Sequence, residues 1–475
     1  MLIGRKQEQY ELNRLLELEE SQFCVVYGRR RVGKTFLIRE TYADKIVFQH
    51  TGLANAPRMQ QLSEFAASLK NHGFIVDKTP KTWFEAFHLL EDYISTLPSK
   101  KKKIIFLDEL SWMDTPKSSF ISALEHFWNG WATARREKDI ILIVCGSATS
   151  WLINNIVKNH GGLHNRLTML LYIKPFSLHD CEQYAQNMGI TLSRKKLAEA
   201  YMIMGGIPYY WSFLRRGESL SQNIDRIFFG ENAPLANEFS SLYASLFKNA
   251  ENHISIITAL ATKKVGMTRN ELIMQTKKSD NATLNKTLTD LEQCSFIRVY
   301  YPFGKDKKNA LYQLMDNYTL FYFQYMKTRK AHDNHFWTNK LGTSLHNTWR
   351  GLAFERLCLW HLPQIKQALG ISGVIASACS WYTKGTEEYD GAQIDLIIDR
   401  NDMIVNLCEI KFSDAEYAIN KKEDAKLRNR LQAFKLSTHT KKAVHYTMIT
   451  PYGIRRNEYS GDIQSQVTIE DLFAV

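Results

Sequence analysis

The chain has few cysteines for its length and no C-x-x-C pair among them. The seven stand at 24, 145, 181, 294, 358, 379 and 408, with no regular spacing. That pattern argues against a disulfide framework and reads as buried thiols in a reducing compartment. Long apolar runs are also missing: none approaches the length that spans a bilayer. Met1-Leu2-Ile3-Gly4-Arg5 leads into an acidic, helix-forming stretch without the apolar core of a signal peptide, so a cytoplasmic protein with no membrane partner is expected. The net charge is +12, and its distribution says more than its size. Residues 331–475 carry 17 Lys+Arg against 17 Asp+Glu, so the whole excess lies in residues 1–330. Within it, residues 249–330 hold 13 Lys+Arg and 7 Asp+Glu, half the surplus in 82 positions. A polyanion-facing surface is expected there; an ordinary solvated basic face is the alternative. What remains, 44% hydrophobic and 23% charged residues over 475 positions, suits about three to four globular domains.

The most informative segment is Gly28 to Thr35, GRRRVGKT, directly after the apolar run Phe23-Cys24-Val25-Val26-Tyr27. It fits G-x-x-x-x-G-K-[ST] in the strand-to-helix setting that pattern requires. Glycines let the backbone curl so that successive amides of Gly28, Arg29, Arg30, Arg31, Val32 and Gly33 point at phosphate oxygens. Lys34 is expected on the β- and γ-phosphates and the Thr35 hydroxyl on Mg²⁺. The following helix, from Phe36, aims its positive end at the anion. A second strand, Lys103-Ile104-Ile105-Phe106-Leu107, ends in Asp108-Glu109. There Asp108 is expected in the Mg²⁺ shell and Glu109 as the group that orients and deprotonates water. A third strand, Ile140 to Val144, runs into Cys145-Gly146-Ser147-Ala148, which makes Ser147 a candidate γ-phosphate sensor.

Short apolar strands (Phe23 to Tyr27, Ile46 to Gln49, Ile104 to Leu107, Ile140 to Val144, Leu170 to Ile173) alternate with helical segments such as Lys81 to Ile94 and Phe120 to Trp131. That predicts a parallel sheet covered by helices. Residues 175–230 read as helices interrupted at Gly205-Gly206-Ile207-Pro208, a helical lid. Residues 249–315 then give three helices, from about Ile254 to Thr262, around Thr268 to Ile273, and one opened by Ser279-Asp280-Asn281 with Leu284, Leu288 and Leu291 in step. Two strand-like runs follow, Phe296 to Tyr301 and Ala310 to Leu314, joined by the basic turn Gly304-Lys305-Asp306-Lys307-Lys308. The layout is that of a winged helix. Its third helix has Lys286 as its outward cation, so phosphate contact by the hairpin is a stronger expectation than base reading. Protein docking is the alternative use of such a module.

Near the C-terminus, Gln393 to Asp399 and Ile404 to Lys411 read as a hairpin turned at Arg400-Asn401-Asp402. Period-two alternation puts Glu409 and Lys411 on one face and lets Asp395 sit beside them. Upstream, a helix read from Gly351 places Glu355 on the stripe of Leu352 and Leu359, where a carboxylate needs a partner. Carboxylates gathered near one lysine would make a Mg²⁺ site, with Asp395 and Glu409 as ligands and Lys411 positioning or activating a water. The segment from Leu345 to Ala443, with D-x₁₃-E-x-K after a helical Glu, resembles PD-(D/E)XK nucleases. An ordinary cross-strand Glu–Lys pair and a nuclease-like fold kept for docking are the two alternatives.

Taken together, Ile3-Gly4-Arg5 with Glu8, GRRRVGKT, FLDE, CGSA, Leu163-His164-Asn165-Arg166-Leu167-Thr168 and GGIPYY at 205–210 resemble archaeal and bacterial P-loop ATPases of the AAA-type and signal-transduction groups. The resemblance implies an α/β fold with a P-loop core at 1–175, a helical lid at 176–248, a winged helix at 249–330 and a nuclease-like domain at 331–475. It also implies ATP with Mg²⁺ as ligands, double-stranded DNA as partner and a homo-oligomer, with Arg166 as an arginine finger and Pro208 as the lid turn that senses nucleotide. Gly161-Gly162-Leu163-His164-Asn165 stands where relatives often carry a Tyr-Gly-Arg type sequence. Adenine rather than guanine follows from the resemblance, no N-K-x-D motif being present. The expected activity is DNA-associated ATP hydrolysis. A nucleotide-dependent signalling switch whose C-terminal domain docks without cutting is the second expectation.

Overall fold

The computed structural model describes residues 2–98, 102–147, 149–158, 162–163, 165–247, 249–305, 307–328 and 333–475. Asp306 of the basic turn, Ala148 of CGSA, and Gly161 and His164 lie outside the described residues. Two compact units divide the chain, Met1–Pro175 and Phe176–Val475.

The first unit is built on five strands: β1 (Gln22–Tyr27), β2 (Ile46–Thr51), β3 (Lys103–Asp108), β4 (Ile140–Gly146) and β5 (Met169–Tyr172). All neighbours pair in parallel, in the order β2-β3-β4-β1-β5. Every residue of β3 and β4 is buried, which is why these runs are apolar throughout instead of alternating. One side of the sheet carries an aromatic core in which Trp83 and Phe87 of the helix Trp83–Thr96 pack on Phe120 and Phe127, with Phe87 and Phe127 stacked, centroids 5.2 Å apart. Thr82 caps that helix by accepting from the Glu85 amide. At the opposite end of β3, the buried Lys103 ammonium is paired with Asp139, which Arg135 also holds at 2.9 Å.

The second unit begins with helices, Leu178–Asn187, Arg194–Met204 and the short Pro208–Trp211, as the loss of strand signals predicts. Helices Ala250–Ala261, Arg269–Thr276 and Ala282–Gln293 follow, with strands β6 (Met267–Thr268), β7 (Ile297–Tyr300) and β8 (Leu311–Leu314) in an antiparallel sheet ordered β6-β8-β7. Thr268 and Glu271 form a capping box, and Asn281 caps the third helix through the Leu284 amide. The two-residue β6 leaves no periodic signal and was not foreseen.

The last part centres on β9 (Ala376–Thr383), β10 (Ala392–Arg400), β11 (Ile404–Ile410), β12 (Tyr417–Ala418), β13 (Ala443–Ile449), β14 (Ile454–Arg455) and β15 (Ile463–Val467). The five-stranded sheet runs β15-β13-β11-β10-β9, with β9, β10 and β11 antiparallel and β11, β13 and β15 parallel. The helix Lys421–Thr438 crosses over between β11 and β13, the connection a parallel pair requires. The helix expected to start at Gly351 instead spans Ser344–Trp360, because Thr343 accepts from the His346 amide and caps it two turns earlier. All seven cysteines are buried and free. Among the described residues no helix is long and apolar enough to cross a membrane.

Candidate functional site

The phosphate loop links β1 to the helix Lys34–Tyr42. Gly28 has φ +145°, and a Cβ there would sit 2.5 Å from the Ile173 carbonyl oxygen, so both conformation and space demand glycine. Gly33, at φ +90°, caps the helix in the left-handed region. Arg5, buried, reaches into the loop from the amino terminus: it donates to the Val32 carbonyl at 3.2 Å and the Lys174 carbonyl at 2.8 Å while paired with Glu8. Arg29 and Val32 are buried, Arg30 and Arg31 half-buried, and the Phe36 ring is exposed.

Strand order explains how the loop meets the acidic pair. β4 lies between β1 and β3, so its end delivers Ser147 between Lys34 and Glu109. Lys34 Nζ, 5% exposed, donates to the carbonyls of Gly28 and Arg29 at 3.0 Å each and to Ser147 Oγ at 3.1 Å. Ser147 Oγ donates in turn to Glu109 Oε1 at 2.8 Å, and the Ser147 amide to Glu109 Oε2 at 3.2 Å. Thr35 Oγ1 donates to Asp108 Oδ2 at 2.7 Å. Hydroxyl and carboxylate oxygens are the donor set a hard divalent cation takes, so Thr35 and Asp108 fit Mg²⁺. Glu109 sits at φ +48°, ψ +48°, a left-handed conformation that costs a non-glycine residue about 1–2 kcal/mol. Such strain persists where the surroundings impose it, and here both Glu109 oxygens are held by Ser147.

Arg166 is exposed, with its amide on the Leu163 carbonyl at 3.2 Å. Pro208 opens the helix Pro208–Trp211 in the second unit.

Residues 2–213 match the profile of an ATPase domain predominantly from Archaea. An ATPase-type, nucleotide-binding domain occupies the amino-terminal region. The loop, the acidic pair and Ser147 all lie inside the match. Over 422 residues the chain is 23% identical to an uncharacterized protein of Methanocaldococcus jannaschii, covering 87% of this chain and 88% of that one. Among solved structures it is similar to the Walker-type ATPase of Pyrococcus abyssi, at 16% identity and a TM-score of 0.46 over 67% of this chain and 95% of that one. It is also similar to the Aeropyrum pernix ORC2 protein, at 15% identity and a TM-score of 0.43 over 66% and 90%.

The four C-terminal site residues separate into two clusters. Glu355 and Asp395 are joined by Lys264, whose Nζ donates to Glu355 Oε1 at 2.7 Å and Asp395 Oδ2 at 3.2 Å. Gln393 holds the other Asp395 oxygen at 2.6 Å. Glu409 instead pairs with Lys411 at 2.8 Å and with Arg430 of the helix Lys421–Thr438 at 2.6 Å. Glu355, Asp395 and Glu409 do not bring their carboxylates within 4.8 Å of one another as a threesome. In the antiparallel register, where Leu396 faces Cys408, Asp395 comes opposite Glu409, yet the two carboxylates take different side-chain partners. The β9–β10 register shifts between Ile394 and Ile397, and both isoleucines face the same core although three residues apart. That bulge breaks period-two alternation at Asp395.

Lys264 was not anticipated, since it lies 91 residues before Glu355 in a stretch with no motif. Its backbone is fixed by two side chains: the buried Arg356 donates to the Lys264 and Leu314 carbonyls, and Gln313 donates to the former at 2.9 Å. Burial, then the Asp395 charge, push the Glu355 carboxyl up to about 7, against the pull of Lys264. Burial draws the Lys264 ammonium down, but Glu355 and Asp395 outweigh it and leave it raised. The basic hairpin is anchored as well: the Phe303 amide donates to the Ser380 carbonyl at 2.8 Å and its ring lies 5.0 Å from Phe434. On the third helix Lys286 is exposed beside Thr283, Asn285 and Thr289.

Proposed function

We propose that the chain is a Mg²⁺-dependent ATPase acting on or regulated by DNA, whose nucleotide state is coupled to a winged helix and a nuclease-like C-terminal domain. We read the domains as residues 1–175, 176–248, 249–330 and 331–475. The observation that carries the ATPase reading is that Lys34 and Glu109 share one hydroxyl, that of Ser147. A triphosphate in the loop offers its β- and γ-oxygens to Lys34, which exchanges loop carbonyls and Ser147 for phosphate. Ser147 then retains its bond to Glu109 and turns its free lone pair toward the phosphate end. Glu109, so oriented, accepts a proton from water in line with the terminal phosphate. Thr35 and Asp108 would hold Mg²⁺, which when bound neutralises charge on the phosphates. Arg166, on an exposed turn, would act as a finger residue toward a second copy of the chain. The winged-helix reading draws on the helix and strand order from Ala250 to Leu314, and the nuclease-like reading on the helix Ser344–Trp360 followed by β9, β10, β11, the helix Lys421–Thr438 and β13.

ATP turnover with and without duplex DNA tests this reading. Wild type should hydrolyse ATP faster with DNA, and Lys34→Ala should abolish turnover; full activity in that variant refutes the assignment.

One observation favours the second reading, a switch whose C-terminal domain docks without cutting. Lys264 already neutralises Glu355 and Asp395, and Lys411 and Arg430 neutralise Glu409. A Mg²⁺- or Mn²⁺-dependent nick in plasmid DNA, lost in Asp395→Ala or Lys411→Ala, would decide for the nuclease.

A further inference from the structure

In the first unit, away from the phosphate loop's contacts, His88 and Glu91 stand three residues apart on the helix Trp83–Thr96, a spacing that puts both on one face. His126 closes the neighbouring helix Phe120–His126. One imidazole nitrogen from each histidine and a Glu91 oxygen all lie within 4.8 Å of one another, a convergence that no other three His, Cys, Asp or Glu side chains among the described residues show. The two imidazole rings meet edge-on with centroids 6.0 Å apart. Both histidines are exposed and Glu91 is half-buried, so an ion can reach the cluster from solvent.

A second observation is independent of that convergence. Glu91 Oε1 is screened from solvent yet has no hydrogen-bond partner. A carboxylate oxygen so placed is costly unless a cation or proton meets it. Burial holds the Glu91 carboxyl above its usual range, with His88 and His126 pulling it back and Asp92 adding to the rise. The helices beneath are rigidly joined: Phe87, one residue from His88, stacks on Phe127, one residue from His126. The cluster therefore rests on a fixed base, as a preorganised site requires.

We propose that His88, Glu91 and His126 form a binding site for a divalent transition-metal ion of the zinc type, clipping the two helices together over the aromatic core. Two imidazoles and one carboxylate are borderline ligands suited to Zn²⁺, Co²⁺ or Ni²⁺ and poorly suited to Mg²⁺. Zinc bonds of about 2.0–2.2 Å in tetrahedral array put ligand atoms roughly 3.3–3.5 Å apart, so these side chains need to close by no more than about 1.5 Å. Both histidines have solvent-facing freedom to do so. Three protein ligands leave one position for water, so the site stays open to solvent.

The test uses the full-length chain stripped with a chelator and titrated with ZnCl₂ by calorimetry in millimolar Mg²⁺, with Co²⁺ absorption as the probe of geometry. One equivalent should bind, with the visible bands of a four-coordinate Co²⁺ site, and His126→Ala and Glu91→Gln should each weaken binding at least about tenfold. Far-UV dichroism and nucleotide binding, which these residues do not touch, certify that each variant is folded; His88→Ala serves in place of a variant that is not. No saturable binding by wild type, or unchanged affinity in the folded variants, overturns the proposal.

Discussion

The phosphate loop and the Glu355–Asp395–Lys264 cluster are both places where a lysine meets oxygen acceptors, yet they are built in opposite ways. Lys34 finds two of its three acceptors, Gly28 and Arg29, within six residues of itself, and the third at the end of a strand next to its own. Lys264 finds its acceptors 91 and 131 residues further along the chain. The first is a local motif whose geometry follows from glycine φ angles. The second is an assembly of three segments held by buried arginine and glutamine side chains. A lysine bonded to its own loop is ready to transfer to an incoming anion, whereas a lysine between two carboxylates occupies the place a divalent cation would need.

The comparison breaks most sharply at Glu109. Replacing Glu109 with Gln keeps its shape and its contact with Ser147 but removes the base, so turnover should fall about 10²–10⁴-fold with nucleotide affinity retained. Equal loss of both, measured by single-turnover hydrolysis and equilibrium binding, would make Glu109 a structural prop. At the second cluster the expected effects are smaller. Lys264→Ala leaves two carboxylates facing each other and should lower stability by about 1–2 kcal/mol after allowance for a side chain one-third exposed, with Mn²⁺ restoring it. Urea midpoints with and without Mn²⁺ check this, and a variant that ignores the metal would show that these carboxylates do not form a cation site.

The remaining effect is on pH dependence. Glu355 titrates near 7 when folded against an ordinary 4.5, so the folded state binds the extra proton between those values. Its contribution to stability is present below about 4.5 and is lost as pH rises through about 7. Glu355→Gln should flatten that part of the stability profile, by about 1–3 kcal/mol across the window. An unchanged slope in urea unfolding at pH 5 and 7 would assign the pH dependence to other groups.

Much of the first unit was legible because its strands are wholly buried. Ile104 to Leu107 and Ile140 to Val144, apolar runs that predict strands, appear as Lys103–Asp108 and Ile140–Gly146, longer by one or two residues. The helix Ala282–Gln293 was equally plain, since Asn281 caps it where the sequence announces a cap. The parallel side of the C-terminal sheet was harder. β13 and β15 pair in parallel with partners far along the chain, and their sequences, AVHYTMI and IQSQV, carry little apolar alternation. At Asp395 alternation gives the residue opposite, Glu409, but not the partner Lys264, because the β9–β10 register shift between Ile394 and Ile397 is marked by nothing in the residue types.

The sequence alone determined the loop, its lysine and threonine, and the acidic strand end, since these depend on glycine conformation and on a buried strand running into a polar turn. Folding decided the rest: that Ser147 stands between Lys34 and Glu109, that Lys264 lies on Glu355 and Asp395, and that His126 meets His88 and Glu91. Those meetings arise from strand order, a bulge and helix packing, which are set by how the whole chain buries its apolar surface and are written in no short stretch of it.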